Sequence, residues 1–242
     1  MITMENTNEN IRIVENSIEF LDSKNDWDRS LKRITRCTRV AYRSENTGSD
    51  DDDKRLHDER LMSHMLFRDK SNADSPRHTS TVEHAVFGVI LHCSRAIANE
   101  FVRHRHTAYT QESTRYVNFN KKSAEFIRPY GMNEDSLEAY KDSCSKSYST
   151  YKDMLSDGIL PQVARDVLPL GLSTTMAMTT NIAEWRCIFN LRCDKHAHPE
   201  ARSIAWTILT VFNKNAPWAF SDLYDKFKGD NIPLCNYTEE CE

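Results

Sequence analysis

Between Arg103 and Arg115 the chain reads RHRHTAYTQESTR, which gathers Arg103, His104, Arg105, His106, Gln111, Glu112, Ser113 and Arg115 within thirteen residues. Each guanidinium offers a planar fork of donors suited to a phosphate or to the carbonyls of a heterocyclic ring, and the short polar side chains between them add selectivity. The chemistry that fits is recognition of an anionic, nucleotide-like molecule. Arg/His-rich strings also occur as solvated helix faces and nucleic-acid patches. Here the net charge is −4 and no block of five like positive charges occurs, so the overall field does not favour polymeric nucleic acid. A module that clamps only a nucleotide or RNA phosphate stays open at this point.

Other chemistries find less support. The six glycines never form GxG, so neither a dinucleotide fingerprint nor a P-loop is written, and a nucleotide would have to be held by side chains. No GxSxG elbow occurs, which leaves Ser113 without a base to make it a hydrolytic nucleophile. His104/His106 and His196/His198 are two apart, and on a helix such residues point away from each other. With no cysteine or carboxylate at ligand spacing, no metal site is expected. Cys37, Cys93, Cys144, Cys187, Cys193, Cys235 and Cys241 form no CxxC pair and read as reduced thiols. The longest apolar run, Ala85 to Leu91 with Gly88 allowed within it, is far short of the roughly twenty residues a membrane span needs. The polar start MITMENTNENIRIVENS shows no secretory or transit pattern, so a cytoplasmic location is expected.

At 242 residues and 39% hydrophobic the chain can bury one sizeable core, and a single domain over 1–242 is expected. Ile11 to Leu21 alternates as one strand, and Asp26 to Tyr42 reads as a helix capped by Asn25 or Asp26. SENTGSDDDDKR reads as an acidic loop before a helix over Lys54 to Phe67, and RDKSNADSPRHTS as another loop. Glu83 to Ser94 has the composition of a buried strand, and Ser94 is placed to cap the helix RAIANEFVR, so the Arg/His string begins where that helix ends. On Glu134 to Leu155, the residues Leu137, Tyr140, Cys144, Tyr148, Tyr151 and Leu155 recur every three or four positions, a packing stripe. A short helix with Pro161 in its first turn follows, then a strand over Thr174 to Thr180. Helices are expected over Ile182 to Leu191, Pro199 to Phe212 and Trp218 to Phe227. Trp185 and Trp218 read as core or interface aromatics. His84 reads as a core histidine, and His57, His64 and His92 as structural. Strands and helices mix without regular βαβ alternation, which predicts an α+β fold with a central sheet flanked by helices.

These residues carry a resemblance. Arg103-His104-Arg105, seven residues, Ser113 and then Arg115-Tyr116 resemble the signature of the flavin-dependent thymidylate synthase (ThyX) family. HTSTVEHAVFGV upstream, with His78, Glu83 and His84, is similar to the histidine-bearing segment of that family. ARDVLPLGLSTTMAMTTN, NLRCDKHAHPEAR and NAPWAF resemble its later blocks in order and spacing, so the likeness covers roughly Arg12 to Lys228. It implies a ThyX-type fold and reductive methylation of dUMP to dTMP, with methylenetetrahydrofolate as one-carbon donor and NADPH as reductant through bound FAD. It also implies that Arg103, His104, Arg105, Gln111, Asn181 and His196 bind FAD, and that Glu100, Ser113, Arg115, Arg165 and Arg192 bind dUMP. Arg192, Ser113 and His78 are then the residues nearest the chemistry: Arg192 against the uracil, His78 bordering the flavin ring. A fixed guanidinium such as Arg192 can stabilise negative charge developing on the uracil carbonyls. The unrelated class of thymidylate synthase uses a cysteine nucleophile, and this chain has no Pro-Cys-His string. The resemblance further implies a homotetramer with active sites where subunits meet. Cys187 departs from the pattern, standing where relatives often carry a polar residue facing the flavin nucleotide.

Overall fold

Ser23 begins the first helix with a reciprocal cap: its side chain serves the first turn, and the Asp26 carboxylate reaches back to the Ser23 backbone N–H at 2.9 Å. The cap is therefore Ser23, with Asp26 three positions in, and the helix α1 runs Lys24–Tyr42. The computed structural model describes residues 11–46, 48–67, 78–115 and 124–239. Tyr116, Cys241 and most of the loop expected before His78 lie outside the described residues.

Among these residues the strands are β1 Ile11–Val14, β2 Ser17–Phe20, β3 Val86–Ser94, β4 Ala108–Gln111, β5 Ala124–Ile127, β6 Ser173–Asn181 and β7 Asn236–Thr238. The remaining α-helices are α2 Asp51–Leu66, α3 Arg95–Phe101, α4 Glu134–Ser156, α5 Pro161–Ala164, α6 Ile182–Arg192, α7 Pro199–Asn215 and α8 Pro217–Phe227. The fold is α+β. One sheet pairs β1 with β5; the other has the order β4-β6-β3-β2-β7. The chain divides into two compact units, and β3 and β6 each pass from one to the other.

The first unit comprises Met1–Ser17, Leu91–Arg103 and Tyr109–Ala177. β1 and β5 pair in parallel, Ile11 opposite Ala124 and Val14 opposite Ile127. Ile11 and Ile13 pack against a cluster of Ala124, Phe126, Cys144, Tyr148, Tyr151 and Leu172. The expected stripe of α4 is thus core. The run expected as one strand over 11–21 is two: β1 belongs to the small sheet, whereas Ile18 and Phe20 of β2 are buried in the second unit. Alternation alone cannot reveal a change of partner strand. Ser94 caps α3 as expected, its Oγ accepting from Ile97 N at 3.2 Å.

The second unit comprises Ile18–Ile90, His104–Ala108 and Met178–Glu242. Trp27 stacks on Phe87 with ring centroids 3.5 Å apart, and Phe212 meets Trp27, Phe87, Trp185, Phe189 and Phe220. Trp185 and Trp218 are buried, as expected; Trp185 Nε1 donates to the Phe87 carbonyl at 3.1 Å. Burying rings of this size supplies several kcal/mol of apolar stabilisation in total. Buried Arg186 forks onto Asp222 at 2.8 and 2.6 Å, tying α6 to α8.

Two expectations need correction here. Asp51, Asp52 and Asp53 are not loop but the first turn of α2, capped by Asp50. Carboxylates are favoured at that end of a helix by the backbone dipole, so an acidic run that looks like linker can start one. Residues Thr79–His84 form a 3-10 helix, so β3 starts only at Val86 and His84 is exposed rather than in the core.

Candidate functional site

The second unit holds a buried imidazole between two charged side chains. His104 follows the end of α3, and the carbonyl of nearby His106 accepts from Thr180 Oγ1 at 2.7 Å, pinning this short segment to β6. Arg192 Nε donates to His104 Nε2 at 3.1 Å, while His104 Nδ1 faces the Glu184 carboxylate at 3.5 Å. A nitrogen that accepts from a guanidinium must carry a lone pair, so the proton sits on Nδ1, towards Glu184. Burial, and then the charge of Arg192, push the His104 pKa down to about 4. The imidazole is therefore neutral at pH 7. Burial also raises the Glu184 carboxyl, an effect opposed by His106. Glu184 and Arg192 lie eight residues apart on α6, near one face, and Asn181 caps that helix by accepting from Glu184 N at 2.9 Å. The arrangement fixes the plane of the Arg192 guanidinium without placing a second positive charge beside it.

A different group occupies the first unit. Gln111, at the end of β4, donates to Thr174 Oγ1 at 3.3 Å, and Glu112 N donates to the Thr175 carbonyl at 2.9 Å. Ser113 Oγ accepts from Arg115 N at 3.2 Å, a local turn, and buried Thr114 accepts from Arg165 Nη1 at 3.1 Å. Arg115 Nη2 reaches Gln162 at 3.4 Å. Arg95, from the start of α3, donates through Nη2 to the Glu112 carbonyl at 3.0 Å. Burial, and then the like charge of Arg165, lower the Arg95 pKa, while Glu112 opposes the shift. Guanidinium donors and hydroxyls gathered in this way have the chemistry to meet a phosphate group.

The structure brings Ser113, Arg115, Arg165 and Gln111 into one unit, and His104 and Arg192 into contact in the other. Arg103 and Arg105 are exposed beside buried His104. Glu100 is part-buried on α3. Asn181 spends its carbonyl oxygen on the helix cap. His196 is exposed, its Nδ1 2.8 Å from Asp194. His78 is exposed at the start of the 3-10 turn, its carbonyl accepting from Thr81 Oγ1 at 3.0 Å. Sequence reasoning missed Arg95, Thr114 and Glu184. Glu184 carried a legible signal in its two-turn spacing from Arg192; Arg95 and Thr114 carried none, because their partners are distant in the chain. Among the described residues, no group of three or more His, Cys, Asp or Glu side chains could hold a metal ion, and no helix is long and apolar enough to cross a membrane.

Residues 24–218 match the family described as thymidylate synthase complementing protein. The flavin-dependent thymidylate synthase of Pyrococcus abyssi is 31% identical over 196 residues, which cover 77% of this chain and 75% of that protein. The enzyme of the same name from Thermotoga neapolitana is 33% identical over 162 residues, 63% of this chain and 74% of the relative. That of Pyrococcus furiosus is 33% identical over 142 residues, 57% of this chain and 58% of the relative.

Proposed function

The chain belongs to the thymidylate synthase complementing protein family, and from that membership we propose that it methylates dUMP reductively to dTMP. Methylenetetrahydrofolate supplies the carbon and NADPH the electrons. The observation that carries the reading is the neutral imidazole of His104 accepting from Arg192 Nε at 3.1 Å, a device for aiming one guanidinium at a ring carbonyl.

The donor chemistry fits a flavin nucleotide. Arg105, His106 and His196 present exposed nitrogen donors in the second unit, and Arg103 does so in the first. Asn181, with its oxygen engaged in the cap, keeps an amide NH2 suited to a ring carbonyl. Arg103, His104, Arg105, Gln111, Asn181 and His196 would hold FAD, and His78 would border its ring. Bound FAD supplies the hydride chemistry. Ser113, Arg115 and Arg165 bind the dUMP phosphate, with Glu100 on the substrate side; Ser113 acts as a hydroxyl donor. Arg192 orients the uracil and offsets negative charge on its carbonyl oxygen, and the Nδ1 proton of His104 stays on the imidazole throughout. Exposed Cys187 stands where relatives often carry a polar residue facing the flavin nucleotide. Residues 1–242 act as one functional domain, in a cytoplasmic homotetramer whose active sites lie where subunits meet.

The test is spectroscopic and chemical. Flavin absorption of the purified protein is followed during anaerobic bleaching by NADPH with and without dUMP; methylenetetrahydrofolate is then added and dTMP assayed. Flavin that bleaches and reoxidises with dTMP formed is the expected result, and Arg192→Ala should lose dTMP formation while retaining the fold. A colourless protein that neither takes up FAD nor responds to dUMP would overturn the proposal in favour of a phosphate-clamping module.

A further inference from the structure

Arg95 is a partly buried cation of the first unit, and burial lowers its pKa. Its backbone N–H donates to the Leu172 carbonyl at 3.0 Å and its Nη2 to the Glu112 carbonyl at 3.0 Å, so the residue is held at its backbone and at its guanidinium. The Nε is buried and, among the described residues, has no hydrogen-bond partner. An unmet buried donor costs stability, more so on a charged group. Next to it stands Arg165, a second guanidinium whose like charge works against that of Arg95. Arg165 is held by Thr114, and the carbonyl that Arg95 grips belongs to Glu112, directly before Ser113. Two neighbouring guanidiniums against the Glu112 carboxylate, with one unmet donor, make a site short of negative charge, a shortage that a phosphate dianion removes.

We propose that Arg95 is a positioning and specificity residue of the phosphate site: it sets the 112–115 turn through the Glu112 carbonyl and adds fixed positive charge beside Arg165, so that the protein selects a nucleoside 5′-monophosphate over the nucleoside. The inference rests on dUMP being the substrate. Every residue invoked lies within the first unit. A purely structural arginine would support binding of both ligands equally; this one acts on the phosphate-bearing ligand alone.

The experiment is a calorimetric titration of the full-length, FAD-loaded protein with dUMP and with deoxyuridine, at low and high salt, for wild type, Arg95→Met and Arg95→Lys. Methionine removes the charge and the fork at similar length. Arg95→Met should weaken dUMP roughly tenfold, flatten the salt dependence and leave deoxyuridine binding unchanged. Arg95→Lys, which keeps the charge but loses the fork, should fall between the two. Where Arg95→Met does not fold, the lysine variant decides: a severalfold loss confined to dUMP supports the proposal, and an unchanged preference overturns it. Equal losses for both ligands, or none, in Arg95→Met also overturn it. Wild-type protein that binds neither ligand overturns the substrate reading and this inference with it, whereas a wild type that discriminates, matched by a methionine variant that discriminates equally, overturns the inference alone.

Discussion

Replacing His104 with glutamine should change how stability depends on pH, by an amount the structure sets. His104 is 5% exposed, and its pKa is pushed from 6.5 to about 4 by burial and then by Arg192. Because the folded value is the lower one, the unfolded chain takes up the proton first. The contribution of His104 is therefore present in full well above pH 6.5 and is lost as the pH falls from there towards 4. At about 1.4 kcal/mol per pH unit, the native state loses roughly 2 kcal/mol on this account between pH 7.5 and pH 5, and about 3 kcal/mol by pH 4. Glutamine does not titrate, and its carbonyl can still accept from Arg192 Nε. Raised Glu184 works in the opposite direction, but it is present in both proteins, so the difference between them isolates His104. Urea unfolding of wild type and His104→Gln at pH 7.5 and 5.0 should show the wild type losing roughly 2 kcal/mol more than the variant. Parallel losses in the two proteins would mean that His104 is protonated when folded, and the tautomer argument that aims Arg192 would be wrong.

Two further outcomes are expected. Thr114→Val removes the hydroxyl that accepts from Arg165 at 3.1 Å while keeping shape, so KM for dUMP should rise severalfold with kcat nearly unchanged; steady-state kinetics at varied dUMP would show this, and a fall in kcat alone would contradict it. Gly171→Ala would put a methyl group 2.0 Å from the hydroxyl of Tyr140, forcing that ring off the Ile127 carbonyl it donates to at 3.1 Å; thermal unfolding should register a loss of about 1–3 kcal/mol, and an unchanged melting temperature would show that the ring has room to move.

Some of this molecule was legible as one-dimensional pattern. Ser94 as a cap, the α4 stripe from Leu137 to Tyr151, Pro161 in a first turn and Trp185 in the core all follow from rules that act over a few residues. The Arg103 to Arg115 string and its likeness to one family were equally readable, since they depend on residue identity and spacing alone. Errors arose where local pattern and neighbourhood disagree. The Asp51 to Asp53 run looked like solvated linker until a helix dipole was there to hold it, and the alternation over 11–21 concealed a change of sheet.

Only the tertiary structure could decide that His104 meets Arg192 and Glu184, that Arg165 is held by Thr114, or that Arg95 grips the Glu112 carbonyl. The tautomer of His104 and the raised carboxyl of Glu184 follow from burial and from neighbours far away in the chain. Sequence determined which chemical groups are available and which helices and strands they ride on, because those choices are made by neighbours three or four residues apart. Which groups face one another, and in which protonation state, is set by desolvation and by charges brought close only when distant segments pack, and no spacing along the chain encodes that.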